Sequence, residues 1–325
     1  MAENGTAPTT ENAVEPSGVV WSLEVRPPGG APVWTWSHLD LASVAGRARL
    51  NHGDGWPPGI QRQLTGQDET PRVVAFGDTI GGVLPSYPRD GGPDAFEPIY
   101  WHFAAAPDRI VTARRHASRT MAAGYHASAG LAPPRDPAAL LLFCIADFAR
   151  AVRLRLAALS DELDAIEDTL LDRRGSAVNA GTASLIGQIR REAIMVKRAM
   201  TPVSRALDEN EDELPAWWHG PELDPTHSMV VGVLDDIGAL NERARSLQDE
   251  LSSRLAEETN QRLYIVSVVT TLVMPATFVT GFFGMNTGGL LWGGDGAPMG
   301  TFYATLTCVA AVVLMVMLLK RKHLL

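Results

Sequence analysis

The chain has 325 residues, a formal net charge of −9, 46% hydrophobic residues and 20% charged residues. The length accommodates one to three domains, and the acidic balance argues against a nucleic-acid partner, because phosphate binding needs a basic face. Two cysteines, Cys144 and Cys308, lie in different settings and give no disulfide framework. The first twenty residues carry Glu3, Glu11 and Glu15 with no Lys or Arg, which is unlike a secretory signal. The N-terminal part is therefore expected to stay in the cytoplasm.

Residues 1–17 are polar and rich in Thr, Asn, Glu and Pro, and read as a disordered tail. Residues 18–130 mix short strand-like runs with Gly/Pro loops and read as an α/β domain. The runs are Val19–Val25, Arg72–Phe76, Tyr100–Ala104 and Arg109–Ala113. The loops include Asp54–Gly59 and Tyr87–Asp94, and a helix is expected near Leu41–Leu50. Residues 131–262 read as a helical stalk. Asp136-Pro137 supplies an N-cap acceptor followed by Pro at the first helical position, and the helix should reach about Arg173. A second helix is predicted from Ala183 to Leu207, bent or shortened at Pro202. In a third, Met229, Val233, Ile237, Leu240, Ala244, Leu247, Leu251 and Leu255 keep one apolar seam. That helix should run on without a break into the next segment, giving about 85 Å from His227 to Phe283.

Residues 263–283 are uncharged throughout and long enough, at about 31 Å, to span the hydrocarbon core of a bilayer. Residues 302–319 form a second such run, and Asp295 is the one charged residue between Leu263 and Leu319. Arg254 and Arg262 precede the first run, and Lys320, Arg321 and Lys322 follow the second as a basic tail over 320–325. The loop over 284–301 has no Lys or Arg. This distribution puts both termini in the cytoplasm, with a multi-pass chain in the inner or plasma membrane. Two helices cannot enclose a pathway, so any pore must be built from several copies around an axis. Leu263, Ser267, Thr270, Met274, Thr277, Gly281 and Gly284 recur every three or four residues. The stripe suits either a pore lining or close helix packing in lipid. Pro275 removes a hydrogen bond to the Thr271 carbonyl, which suits either a gate or a kink.

After the first span the chain reads Gly284-Met285-Asn286, preceded by Met274-Pro275-Ala276-Thr277-Phe278. Together with the two-span C-terminus, the basic tail and the long approach helix, this resembles the CorA family of divalent cation transporters. The resemblance is close over residues 227–325 and loose before them. It implies an α+β cytoplasmic domain, long stalk helices and two C-terminal transmembrane helices, assembled as a funnel-shaped homopentamer. It further implies that the first spans line the pore. Asn286 would then form a ring at the outer mouth and hold the metal through its hydrating waters. Gly281, Thr277, Met274, Val266, Leu263 and Asn260 would line the path inward, with Asp249 near the funnel mouth. Five amide oxygens can accept hydrogen bonds from the waters of a cation that dehydrates reluctantly, and Met274 and Leu263 would form apolar collars. Asn286 also suits a plain helix C-cap.

Magnesium-type members continue with an acidic loop after this motif. Here the chain reads Thr287-Gly288-Gly289-Leu290-Leu291-Trp292-Gly293-Gly294-Asp295. The Gly-Gly pair resembles the ZntB-like branch, which is associated with zinc. Trp34–Asp40 and Pro107–Arg114 resemble that branch's cytoplasmic domain. The expected substrate is therefore Zn2+, with Mg2+ (or Co2+ and Ni2+) as the alternative. The branch implies protons as a second partner, although neither span contains Asp, Glu or His. Membrane lipid is the remaining expected partner, and no cofactor is expected. There is no Gly-Lys pair for a phosphate-binding loop, no nucleophile elbow and no metallopeptidase helix, so an enzyme is not expected. A membrane-anchored metal sensor without transport is the rival of a different class. Asp161, Glu162, Asp164, Glu167 and Asp168 are candidates for a regulatory metal site or for a solvated helix face.

Overall fold

A computed structural model describes residues 18–51, 55–90, 96–171, 180–208, 214–284 and 298–321. The chain divides into two units, Met1–Gln248 and Asp249–Leu325.

The first unit begins with a six-stranded sheet of order β1-β2-β6-β5-β4-β3. Its strands are β1 (Val19–Val25), β2 (Trp34–Asp40), β3 (Arg72–Phe76), β4 (Thr79–Ser86), β5 (Ile99–Ala106) and β6 (Arg109–Arg114). Every neighbouring pair is antiparallel except β2 with β6, which run parallel. Two-residue turns close the β3–β4 and β5–β6 hairpins. In the first of these Gly77 holds φ +63°, the left-handed conformation that such turns favour.

Helices cover both faces of the sheet. On one face α1 (Val44–Asn51) and α2 (Pro58–Thr65) bring Leu50, Ile60 and Leu64 onto Leu39, Ala104, Val111 and Ala113. On the other, Gly124 of α3 (Arg119–Ser128) lets Trp36 approach Cys144 and Leu140 of α4 (Pro137–Leu171). Two sequence features set the helix starts here. Ser118 accepts from the Met121 N–H at 3.2 Å, and Asp136 Oδ1 accepts from the Ala139 N–H at 2.8 Å.

Helices α4, α5 (Ala180–Ala206) and α6 (Leu223–Gly284) follow. Each buries a stripe at three- and four-residue spacing: Leu156, Leu159, Leu163 and Ile166 on α4; Ile186, Ile189, Ala193 and Val196 on α5; Val230, Val233, Ile237, Leu240 and Ala244 on α6. Helix α5 runs through Pro202 and ends four residues later, so that proline does not terminate it. Helix α6 begins four residues before the expected His227 and is unbroken at Pro275. The second unit holds the end of α6 and α7 (Pro298–Arg321).

Four elements lie where the sequence suggested loops or gave no assignment. Residues Pro58–Thr65 are helical, although Pro57, Pro58 and Gly59 had the look of a loop; Pro58 occupies the first turn, where its missing N–H costs nothing. Strand β4 contains Gly81, Gly82 and Pro85, and helix α3 is also additional. Strand β2 occupies the Trp34–Asp40 segment, quoted above only for its resemblance.

Candidate functional site

The candidate residues of the second unit sit on one continuous helix, so helical geometry places them. At about 100° per residue, Asp249, Asn260, Leu263, Val266, Met274, Thr277, Gly281 and Gly284 share an arc of about 120°. Ser267 and Thr270 fall within the same arc. Side chains along it are open to the outside of the single chain: Leu263 is 59% and Met274 69% exposed. Asp249, Asn260 and Thr277 are exposed as well. Met285 and Asn286 lie outside the described residues.

The hydroxyls on this helix have a defined polarity. Thr270 donates to the Val266 carbonyl at 2.8 Å and Thr277 to the Val273 carbonyl at 3.1 Å. Off the stripe, Thr271 and Thr280 make the same bond four residues back. A hydroxyl whose hydrogen is committed to the backbone keeps its oxygen lone pairs as acceptors. Thr277 Oγ1 is thus suited to receive hydrogen bonds from water around a cation.

On α6 the charged residues stop at Arg262. Glu250–Arg254 and Glu258–Arg262 are four-residue pairs on the last polar turns, the latter at 3.3 Å. Beyond them the exposed side chains include Leu263, Tyr264, Ile265, Val266, Met274 and Phe278. Among the described residues α6 is the helix long and apolar enough to cross a membrane. Helix α7 exposes Phe302, Leu306, Val309, Val313, Leu314 and Met317, and is uncharged up to Lys320.

Glu162, Asp164 and Glu167 of the acidic run on α4 are met by arginines. Arg243 of α6 binds Asp164 at 2.5 Å and also Glu167, while Arg155 binds Glu162 at 3.3 Å. These guanidiniums supply the positive charge that a metal would otherwise bring. Among the described residues no group of three or more His, Cys, Asp or Glu side chains is placed to hold a metal ion. Arg155 also makes a two-pronged contact with Glu192 of α5 at 2.7 and 3.0 Å.

Two histidines of the sheet are buried. His38 on β2 and His102 on β5 are fully enclosed. His38 Nδ1 lies 2.7 Å from Thr112 Oγ1, and His102 Nδ1 lies 2.7 Å from the Gln63 carbonyl oxygen. Burial lowers both imidazoles below their ordinary value, aided at His38 by Arg114. On β2, His38 follows Trp34 and Trp36 at two-residue spacing, which places it on their inward face, whereas β5 is buried over most of its length and gives no such signal for His102.

A family model described as "CorA-like Mg2+ transporter protein" matches residues 32–321. The zinc transport protein ZntB of Yersinia enterocolitica is 24% identical over 290 residues, spanning 86% of this chain and 83% of that protein. The solved structure of full-length CmaX superposes with a TM-score of 0.76 at 18% identity, covering 94% of this chain and 98% of that one. The CorA magnesium transporter from Methanocaldococcus jannaschii superposes with a TM-score of 0.68 at 16% identity, covering 89% and 90%. The two superpositions, at such identities, speak to the fold. The family match takes in strands β2 to β6, the long helix α6 and all of α7, and on it the chain belongs to the CorA-like Mg2+ transporter protein family.

Proposed function

We propose that this chain carries divalent metal cations across the inner or plasma membrane, with Zn2+ as the substrate and no enzymatic activity. The observation that carries this reading is the stripe on α6. An exposed apolar helix carries, on one face, hydroxyl oxygens left free to accept. Relatives named as zinc transport proteins support the choice of metal. Mg2+ is the second reading, favoured by the family description.

In this reading residues 263–283 form the first span and residues 302–319 the second. The Gly-Met-Asn loop over 284–301 faces outward. Residues 18–130 and the stalk over 131–262 lie in the cytoplasm together with the 320–325 tail, because the basic residues flank the spans on that side. One exposed stripe per chain cannot surround an ion, so copies assemble around an axis, five by family resemblance. Asn286 rings the outer mouth and contacts the cation through its waters. Thr277, Gly281, Met274, Val266, Leu263 and Asn260 follow inward to Asp249. Protons are the candidate coupling ion.

The test is Asn286→Ala in purified protein returned to lipid vesicles. Metal flux should be lost while the assembled species keeps its size. Undiminished flux in that variant would remove Asn286 from the pathway.

A further inference from the structure

The sheet holds a buried titratable group that metal conduction does not use. Trp21, His38 and Thr112 are register partners across β1, β2 and β6. Trp21 stacks on the His38 ring with centroids 4.1 Å apart and planes at 23°. Trp36 Nε1 donates to Thr112 Oγ1 at 2.8 Å, and His38 Nδ1 lies 2.7 Å from the same oxygen. Tyr125 of α3 closes the cluster, 5.0 Å from Trp21. His38 Nε2 is buried with no hydrogen-bond partner.

This arrangement accepts a neutral imidazole and has no place for a charged one. If Nδ1 is unprotonated, Thr112 donates to it and accepts from Trp36, but the neutral ring then already carries an unpartnered Nε2–H. If Nδ1 carries the hydrogen, Thr112 accepts twice. This second tautomer leaves no enclosed N–H unpaired, and protonating it puts a hydrogen on Nε2, which is enclosed without an acceptor. The groups on the surrounding elements give no relief. Arg114 on β6 repels a positive ring. On α3, Tyr125 is followed by His126, whose ring packs against it. On α4, Cys144 lies beyond Trp36, its thiol kept protonated by burial and Asp147. Among the described residues no carboxylate bonds to His38.

We propose that His38 is a proton-sensing switch of the α+β domain: protonation of the ring frees the β1–β2 hairpin from β6. The joint it guards is the one parallel pairing in the sheet, through which β1 and β2 are attached to the other four strands. The direction of the linkage follows. The closed ring titrates below its ordinary value, whereas a released ring titrates near about 6.5. The closed form is therefore fully favoured above that pH and loses ground as pH falls. Each pH unit below about 6.5 multiplies the open-to-closed ratio by about ten until the closed ring itself titrates. Release of the hairpin is the proposal; any effect on metal flux rests on the transport reading and is measured separately.

Hydrogen exchange of the full chain in detergent at pH 7.5 and 5.5, corrected for intrinsic amide rates, reads the opening directly. Protection in β1, β2 and β6 is expected to fall about tenfold at the lower pH, and His38→Asn should abolish that acid-dependent difference. His102 is the internal control, because it is also buried but lies on β5 with its Nδ1 against Gln63 next to α2. Acid-induced opening centred on β4, β5 and α2 would assign the effect to His102 and overturn the proposal. So would equal acid sensitivity in His38→Asn, or uniform loss across the sheet. If the variant fails to fold, the location of opening in the unmodified protein decides.

Discussion

Arg155 offers a quantitative test of how α4 and α5 are held together. Its guanidinium binds Glu192 at 2.7 and 3.0 Å, reaches Glu162 at 3.3 Å and lies 4.1 Å from the Phe96 ring centroid. The Arg155 and Glu192 side chains are 18% and 16% exposed. Arg155→Met keeps most of the stem but strands a largely buried carboxylate. Removing one member of such a pair costs on the order of 3 kcal/mol, and the lost ring contact adds about 0.5–1 kcal/mol. At about 2 °C per kcal/mol for a chain of this size, the melting temperature should fall by about 7 °C. Glu192→Met should be similarly damaging. The double variant should return to within about 1 kcal/mol of the starting protein, because two apolar side chains replace two desolvated ions. Thermal unfolding of the full chain in detergent, followed by tryptophan fluorescence, measures all three. A single variant melting within a degree of the parent would refute the reasoning, as would a double variant as unstable as the two singles summed.

Arg243→Ala removes the contacts to Asp164 and Glu167, but all three side chains are more than a third exposed. The cost should stay below about 1 kcal/mol, and a melting shift as large as that of Arg155→Met would contradict the distinction between them. Gly82→Ala would place a Cβ 1.9 Å from the Arg72 carbonyl oxygen, which is backbone and cannot rotate away. Separation of β3 from β4 is expected, seen as loss of strand signal in circular dichroism; a normal spectrum and melting curve would contradict it. Thr277→Val keeps the side-chain shape and deletes the accepting oxygen, whereas Thr277→Ser restores it. Vesicle flux should fall in the first and recover in the second, with helix content unchanged in both. Equal flux in all three forms would remove Thr277 from the path.

Much of this architecture can be read from local patterns, and the exceptions have physical causes. Strands β1 and β3 match the predicted runs residue for residue, because β-branched and aromatic residues are bounded there by Gly and Pro. Strand β4 hides itself, since Gly81, Gly82 and Pro85 imitate a loop. Packing explains the first two: a Cβ on Gly81 would lie 3.0 Å from Ile60, and one on Gly82 would strike the neighbouring strand. A strand between two others, with a helix laid on it, needs backbone where most strands need side chains. Helix α2 is masked by its opening Pro-Pro-Gly, although Ile60 and Leu64 carry the four-residue spacing. The α6 stripe was legible because a single unbroken helix fixes every side-chain direction. The His38 cluster was not, because it joins β1, β2, β6 and α3, and no periodicity within one segment announces pairing over 74 residues.

The central claim is transport of a divalent cation with a preference for zinc. The most direct test is uptake into liposomes holding the purified full chain, with Zn2+ and Mg2+ compared at equal gradients, each with and without a pH difference. Zn2+ entry faster than Mg2+ entry, and lost in Asn286→Ala, is the predicted result. Entry of neither ion into vesicles containing correctly assembled protein would contradict the account and favour a membrane-anchored sensor.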